Sequence, residues 1–262
     1  MRLILVAIAC LVLYTQTAHA DEKKPINATY GLYAGGVRMI GLTALYELGP
    51  DSYHLAADAR TVGIFAKLLP WWGKFDTVGG SGFEPAEHDY SVSWQDKVER
   101  AVFRYDPPGS FKGMTLTKKG KTEEPAVDPD ITAGTRDLLS TLMLAVDGYA
   151  RTQSCARDVL AFDNARSFIV RFRDAGDTVM NNPRLSSYTG PAHGCSVEIV
   201  PQKGKWPKKP RGWLIIQQQA KAGGRLPVVW LATPAPGLPV IPVRVDIHTK
   251  YGDVIAHLSG LQ

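Results

Sequence analysis

Apolar and polar residues alternate with a period of two along most of this chain, and the alternation restarts after short breaks rich in glycine and proline. Successive side chains of a strand point to opposite faces, so this pattern builds antiparallel sheet with one apolar and one wet face. Tyr30, Leu32, Tyr33, Val37, Met39, Ile40, Leu42, Leu45, Tyr46 and Leu48 lie in such runs, split at Gly35-Gly36. Gly49-Pro50-Asp51-Ser52 has the composition of a turn, and residues 53–59 resume as a third strand. Further strands are expected over 75–81, 88–94, 97–105 and 112–118, separated by Glu84-Pro85 and Asp106-Pro107-Pro108-Gly109. Beyond Cys155 the pattern predicts strands over 159–163, 167–173, 195–201, 213–220, 227–233, 241–249 and 253–258. About a dozen strands joined by short turns make a mainly β, mostly antiparallel meander.

The period changes twice. Val62, Phe65, Ala66 and Leu69 recur at helical spacing before Pro70, which marks one short helix. One long helix is expected over 131–153, with Asp130 as its N-cap. Leu138, Leu142, Val146 and Tyr149 give it an apolar stripe that has to pack on the sheet. No strong linker flanks this helix, so residues 21–262 are read as a single β-rich domain.

Residues 1–20 have a different character. Arg2 precedes an unbroken apolar run, residues 3–14, and the segment ends in Ala18-His19-Ala20. This is the layout of a cleaved secretory signal peptide, and the run is too short for a bilayer core, which needs roughly 20 apolar residues. Cys10 sits inside the run, so it is no lipoprotein cleavage site. The site looks bacterial, and the expected location is the periplasm.

Export shapes the reading of the remaining residues. Cys155 and Cys195 are the cysteines left after cleavage, and an even pair in an oxidising compartment reads as a disulfide. The rival is a thiol nucleophile beside His193. A net charge of +5 is too mild for the footprint of a nucleic-acid binder. Gly79-Gly80-Ser81-Gly82-Phe83 is no nucleophile elbow. Glu84, Glu87, His88 and Asp89 read as a solvated turn rather than a metal site. With no phosphate loop, dinucleotide fingerprint or zinc motif, no cofactor is expected. Lys203, Lys205, Lys208, Lys209 and Arg211 alternate with Trp206 and Trp213. That segment is either a solvated loop or a peripheral contact with an anionic membrane, where each basic residue contributes ~1 kcal/mol.

Residues 30–41, Tyr53-His54-Leu55, the run Ala59 to Gly63, and Gly79-Gly80 with Pro85 resemble the start of an exported proteobacterial family, domain of unknown function 3108. Residues 188–195, 227–233, Pro242-Val243-Arg244-Val245 and Tyr251-Gly252-Asp253-Val254 fit the same family. The resemblance implies a fold similar to the periplasmic lipoprotein carriers: a single curved sheet, open or half-barrel, partly wrapped around helix. It implies no catalytic residues. The expected function is that of a non-catalytic periplasmic envelope protein. Its concave face would hold a lipid, another apolar ligand or a partner segment. The alternatives are an envelope-polymer hydrolase using Glu84, Glu87, Asp89 or Asp106, and a purely structural interaction protein. N-terminal sequencing of material recovered from the periplasm is expected to begin at Asp21; a chain starting at Met1 would refute the cleavage.

Overall fold

A computed structural model describes residues 24–95, 97–206, 208, 213–222, 224–249 and 252–262. The expected signal peptide lies outside the described residues. The first half of the chain is a meander of β1 (Ile26–Ala34), β2 (Val37–Leu48), β3 (Ser52–Thr61), β4 (Trp71–Gly80), β5 (Glu84–Trp94), β6 (Lys97–Tyr105), β7 (Phe111–Lys118) and β8 (Lys121–Glu123). The second is a meander of β9 (Arg157–Phe162), β10 (Arg166–Met180), β11 (Gly190–Gly204), β12 (Val228–Ala232), β13 (Ile241–Thr249) and β14 (Gly252–Leu261). They join where β1 pairs antiparallel with β14, and the result is one sheet of 14 strands. Asn27 and Gln262 exchange backbone hydrogen bonds of 2.9 Å across that junction, so the two ends of the domain meet in the middle of the sheet. β8 and β9 are left as the two edges.

This order dictates what fills the sheet. The chain must travel from edge β8 to edge β9, and the link carries α2 (Pro129–Thr132) and α3 (Leu138–Thr152). A sheet that curls around this link buries its inner face without a second sheet. Register shifts at Thr29/Tyr30, Leu32/Tyr33, Val78/Gly79 and Trp230/Leu231 mark bulges, which bend strands and increase their twist. The curl brings the end of β9 against β6 and β7. Phe162 lies 5.6 Å from Phe103 and 5.3 Å from Phe111, ring centre to ring centre. Asn164 donates to the Tyr90 hydroxyl at 2.6 Å. No strand pairing joins β8 to β9, so the sheet is closed by side chains and is not a hydrogen-bonded barrel.

Two helical segments differ from their sequence reading. The long helix expected over 131–153 is divided. Asp128, not Asp130, caps α2, accepting from the Asp130 amide at 2.9 Å. Gly134 then takes a left-handed φ of 69° and the chain runs extended. Arg136 exchanges backbone hydrogen bonds with Leu160 and Phe162 at 3.0 and 3.1 Å, covering the free edge of β9. Asp137 starts the second helix, α3. The strand expected over 213–220 is instead α4 (Trp213–Ala222). A short apolar run does not separate strand from helix by periodicity. Tertiary context decides here, because β12 begins opposite Ser196 and leaves Ile199 without a ladder partner on that side. The Gln217 side chain takes that place, donating to the Ile199 carbonyl at 2.8 Å and accepting from its amide at 2.5 Å. The short helix expected before Pro70 is α1 (Ile64–Leu68).

Cys155 and Cys195 form a disulfide with a Cα–Cα distance of 6.1 Å and a sequence separation of 40. It fastens the chain between α3 and β9 to β11, and both cysteines are fully buried. Closing a loop of that length stabilises by ~4 kcal/mol at most in the chain-entropy account. The double variant Cys155→Ser, Cys195→Ser is therefore expected to unfold at lower urea, with a larger m-value because the unbridged unfolded chain expands. Alkylation of the native protein without reductant is expected to label neither cysteine.

Candidate functional site in the concave face

The interior of the curl is organised by α3. Asp137, its N-cap, is fully buried and accepts from the Leu139 and Ser140 amides at 2.9 and 3.0 Å, and also from the Ser140 hydroxyl. Thr77 of β4 donates to the same carboxylate at 3.2 Å. His88 of β5 lies 2.6 Å from the Thr77 hydroxyl through Nδ1, so the ring N–H donates to Thr77 and Thr77 donates onward. The Tyr53 hydroxyl of β3 meets that of Ser140 at 2.6 Å. A buried carboxylate is costly unless its lone pairs are satisfied, and the helix N-terminus adds favourable partial charge. The network thus ties the start of α3 to three adjacent strands. His88 reaches Thr77 rather than Ser140, and all four polar side chains around Asp137 are buried.

The far end of α3 is held as firmly. Gly148 faces the Arg157 guanidinium so closely that any Cβ would overlap it. Tyr149 stacks on His193 with centroids 4.6 Å apart, and His193 is gripped by Asp177 at 2.7 Å and Asp174 at 2.9 Å. The disulfide follows immediately. His193 and the two cysteines are the one cluster of metal-ligand types among the described residues, but the sulfurs are bonded to each other. The same bond removes the thiol nucleophile considered for Cys195. α3 is anchored at both termini.

Its apolar stripe is shared between core and cavity. Val146 is buried together with Met143 and Ala145, whereas Leu142 and Tyr149 are half-buried and Leu138 is 50 % exposed. Leu142 stands between two cavities. One, of about 300 Å³, lies against β1–β3 and is lined by Tyr30, Leu42, Tyr46, Leu55 and Leu139 among others. Its tyrosine hydroxyls bond to each other at 3.1 Å, and Tyr30 donates to the Pro242 carbonyl at 2.8 Å. The other, of about 490 Å³, lies against β10–β12 and is lined by Phe168, Val170, Phe172, Val197, Val229 and Leu214, with Thr141, Asp163, Arg166 and Trp206. Volumes of this size are typical of small-molecule sites.

The carboxylates considered for hydrolysis do not converge. Glu84 faces Arg136 at 3.8 Å, Glu87 faces Arg104 at 3.9 Å, Asp89 pairs with Arg100 and Asp106 with Lys112 at 3.4 Å. His88, grouped with three of them by sequence, points to the opposite face of its strand. The basic segment leaves β11 toward α4. Lys203 pairs with Asp130 at 3.6 Å, Lys205 and Lys208 are exposed, and Trp206 packs edge-on against Phe168 beneath the Arg166 guanidinium, 4.5 Å from its ring centre. Lys209, Arg211 and the Trp213 side chain lie outside the described residues. Sequence reasoning overlooked Tyr53, Thr77, Asp137 and Ser140, and it read His88 as part of a solvated turn, whereas His88 is buried within β5. The available signal was Asp137 directly before Leu138-Leu139-Ser140, a second capping position beyond the Gly134 break.

A curled antiparallel meander around an anchored helix, with apolar cavities beside it, defines a mainly β protein built on one open 14-stranded sheet. The chain belongs to the family described as protein of unknown function (DUF3108), whose model matches residues 27–259. No curated protein matches it. Among solved structures it is similar to a β-barrel-like protein of domain of unknown function DUF1849 from Brucella abortus. That similarity has 9 % identity and a TM-score of 0.47, over 91 % of this chain and 97 % of the other.

Burial lowers the pKa of His88, with Asp137 pulling in the opposite direction. The unfolded chain therefore takes up a proton near pH ~6.5 that the folded chain refuses. This contribution to stability is complete above that pH and declines as pH falls toward the depressed folded value. His54, raised by Asp76 and Glu47, and His193, raised by Asp174 and Asp177 against burial, act in the opposite sense. Comparing wild type with His88→Gln cancels those two. Urea midpoints from about pH 7.5 to about pH 5 are expected to fall more steeply for wild type than for the variant. Parallel curves would show that His88 is not the sensitive group.

Proposed function

We propose that this chain is an exported, non-catalytic protein of the bacterial cell envelope that holds an apolar ligand against its concave face in the periplasm. The observation that carries the reading is the pair of apolar cavities meeting at Leu142. A core packed for stability alone leaves few voids larger than water. Here the helix is fixed at both ends, yet space remains on both of its sides. The signal-like residues 1–20 support export, and the paired, scattered carboxylates favour binding over hydrolysis.

Detergent-free native mass spectrometry of protein purified from the periplasm is expected to show an adduct that solvent extraction removes. The extracted protein is expected to enhance the fluorescence of an uncharged naphthylamine probe, and Leu142→Trp, which intrudes on both cavities, to reduce that enhancement. A clean unliganded mass and no probe response would overturn ligand binding and leave a structural interaction role.

A further inference from the structure

The two cavities are not equivalent, and the difference assigns a ligand class. The smaller is closed in on itself chemically, because its tyrosine hydroxyls are already paired. The larger has a buried, unpaired donor in a residue of its wall. Thr141 is almost fully buried on α3, lines this cavity, and its hydroxyl has no hydrogen-bond partner. Native interiors rarely leave such a group unsatisfied without a reason.

The chain segment bordering the same cavity is basic. The chain leaving β11 is pinned there by the Lys205 amide, which donates to the Ala165 carbonyl at 3.2 Å. That bond sets Trp206 into the cavity wall beside Asp163 and Arg166. Asp163 and Arg166 neutralise each other through hydrogen bonds of 2.9 to 3.2 Å. Lys205 and Lys208 are exposed and have no ion-pair partner among the described residues. The connection from residue 205 to residue 227 contains no aspartate or glutamate. An apolar chamber with one buried donor in its wall and an uncompensated cationic segment at its border is complementary to an amphiphile of opposite charge.

We propose that the larger cavity binds a single-chain amphiphile with an anionic headgroup. The chain lies along the β10–β11 wall beside α3, an oxygen of the acyl group accepts from Thr141, and the headgroup rests on Lys205 and Lys208 beside Trp206. The proposal rests on the concave-face reading above and narrows it to one side of the helix. A volume of about 490 Å³ suits one acyl chain rather than several. The basic segment thereby gains a role at the site, as the platform for a headgroup.

The test uses delipidated full-length mature protein and three palmitoyl probes below their aggregation limits: lysophosphatidylglycerol, lysophosphatidylcholine and palmitate. Lysophosphatidylglycerol is expected to bind more tightly than chain-matched lysophosphatidylcholine, and added salt to narrow the gap. The palmitate arm tells a carboxylate from a phosphate source. Lys205→Gln and Lys208→Gln lie at the surface and leave the fold alone; each is expected to weaken anionic binding about fivefold. Thr141→Val, which keeps the shape and removes the hydroxyl, is expected to weaken binding of both lysolipids by a similar factor. Val197→Phe in the larger cavity is expected to block binding, while Ala44→Phe in the smaller one does not. Equal affinity for the two lysolipids with no effect of the lysine changes would overturn the proposal and leave the concave-face reading intact. Binding blocked by Ala44→Phe alone would place the ligand on the wrong side and overturn it as well. Lysine variants that lose attachment to anionic vesicles but bind lysophosphatidylglycerol normally would make the segment a membrane contact instead. If neither the lysolipids nor the uncharged probe binds, both readings fail together.

Discussion

The structure depends on one buried carboxylate. Asp137 sits at the point where the chain, having left edge β8, turns into the interior and starts α3. Its oxygens take donors from the helix amides, Ser140 and Thr77, and Thr77 in turn is reached by His88. Breaking such a buried network by removing one partner is far more damaging than losing an exposed pair. A helix could otherwise slide or rotate along an apolar trough, since hydrophobic contact has no direction. The polar network supplies direction and register. With the start fixed there and the end fixed at Tyr149, Gly148 and the disulfide, the positions of Leu138 and Leu142 follow, and with them the two cavities.

Much of the sheet was legible because local and global requirements agree. Period-two runs between Gly and Pro breaks become strands at nearly all the expected places, and the meander follows from short turns. The pairing of β1 with β14 was not legible, because nothing local in Tyr30 or Leu258 says that they lie side by side. The disulfide was legible from cysteine count and compartment. The division of the long helix was half legible: Gly134 stands in the pattern, but the need for Arg136 to cover β9 appears only once β9 is known to be an edge. α4 was misread because Gln217 completes a ladder in three dimensions that its neighbours in sequence do not reveal. The central network was missed for the same reason. His88 and Asp137 look like ordinary surface residues until the curl brings β4, β5 and the N-terminus of α3 together.

The open form of the sheet carries its own hazards. Edge strands expose unpaired backbone groups and invite association with other chains. β8 is only 3 residues long, and all of them are exposed, with Lys121 and Glu123 at its ends. β9 is covered by the extended stretch around Arg136. The seam where the two ends of the sheet approach is made by side chains rather than by strand pairing, with Phe103, Phe111 and Phe162 in mutual contact.

That choice of closure bears on what the interior can hold. In a hydrogen-bonded barrel, strand number and stagger fix the diameter, and all backbone groups of the seam must align. A seam made by side chains holds the ends of the sheet together at one place without aligning backbone groups along it, so the rest of the wall is free to stand off from α3. The side with β10–β12 does so most. There β11 runs well past the start of β12, and the gap is spanned by the Trp206 segment and α4 rather than by strand. Thr141, Arg166 and Trp206 are thus brought to one chamber by the sheet's failure to close. The same openness that requires protected edges is what leaves room for a ligand beside the helix.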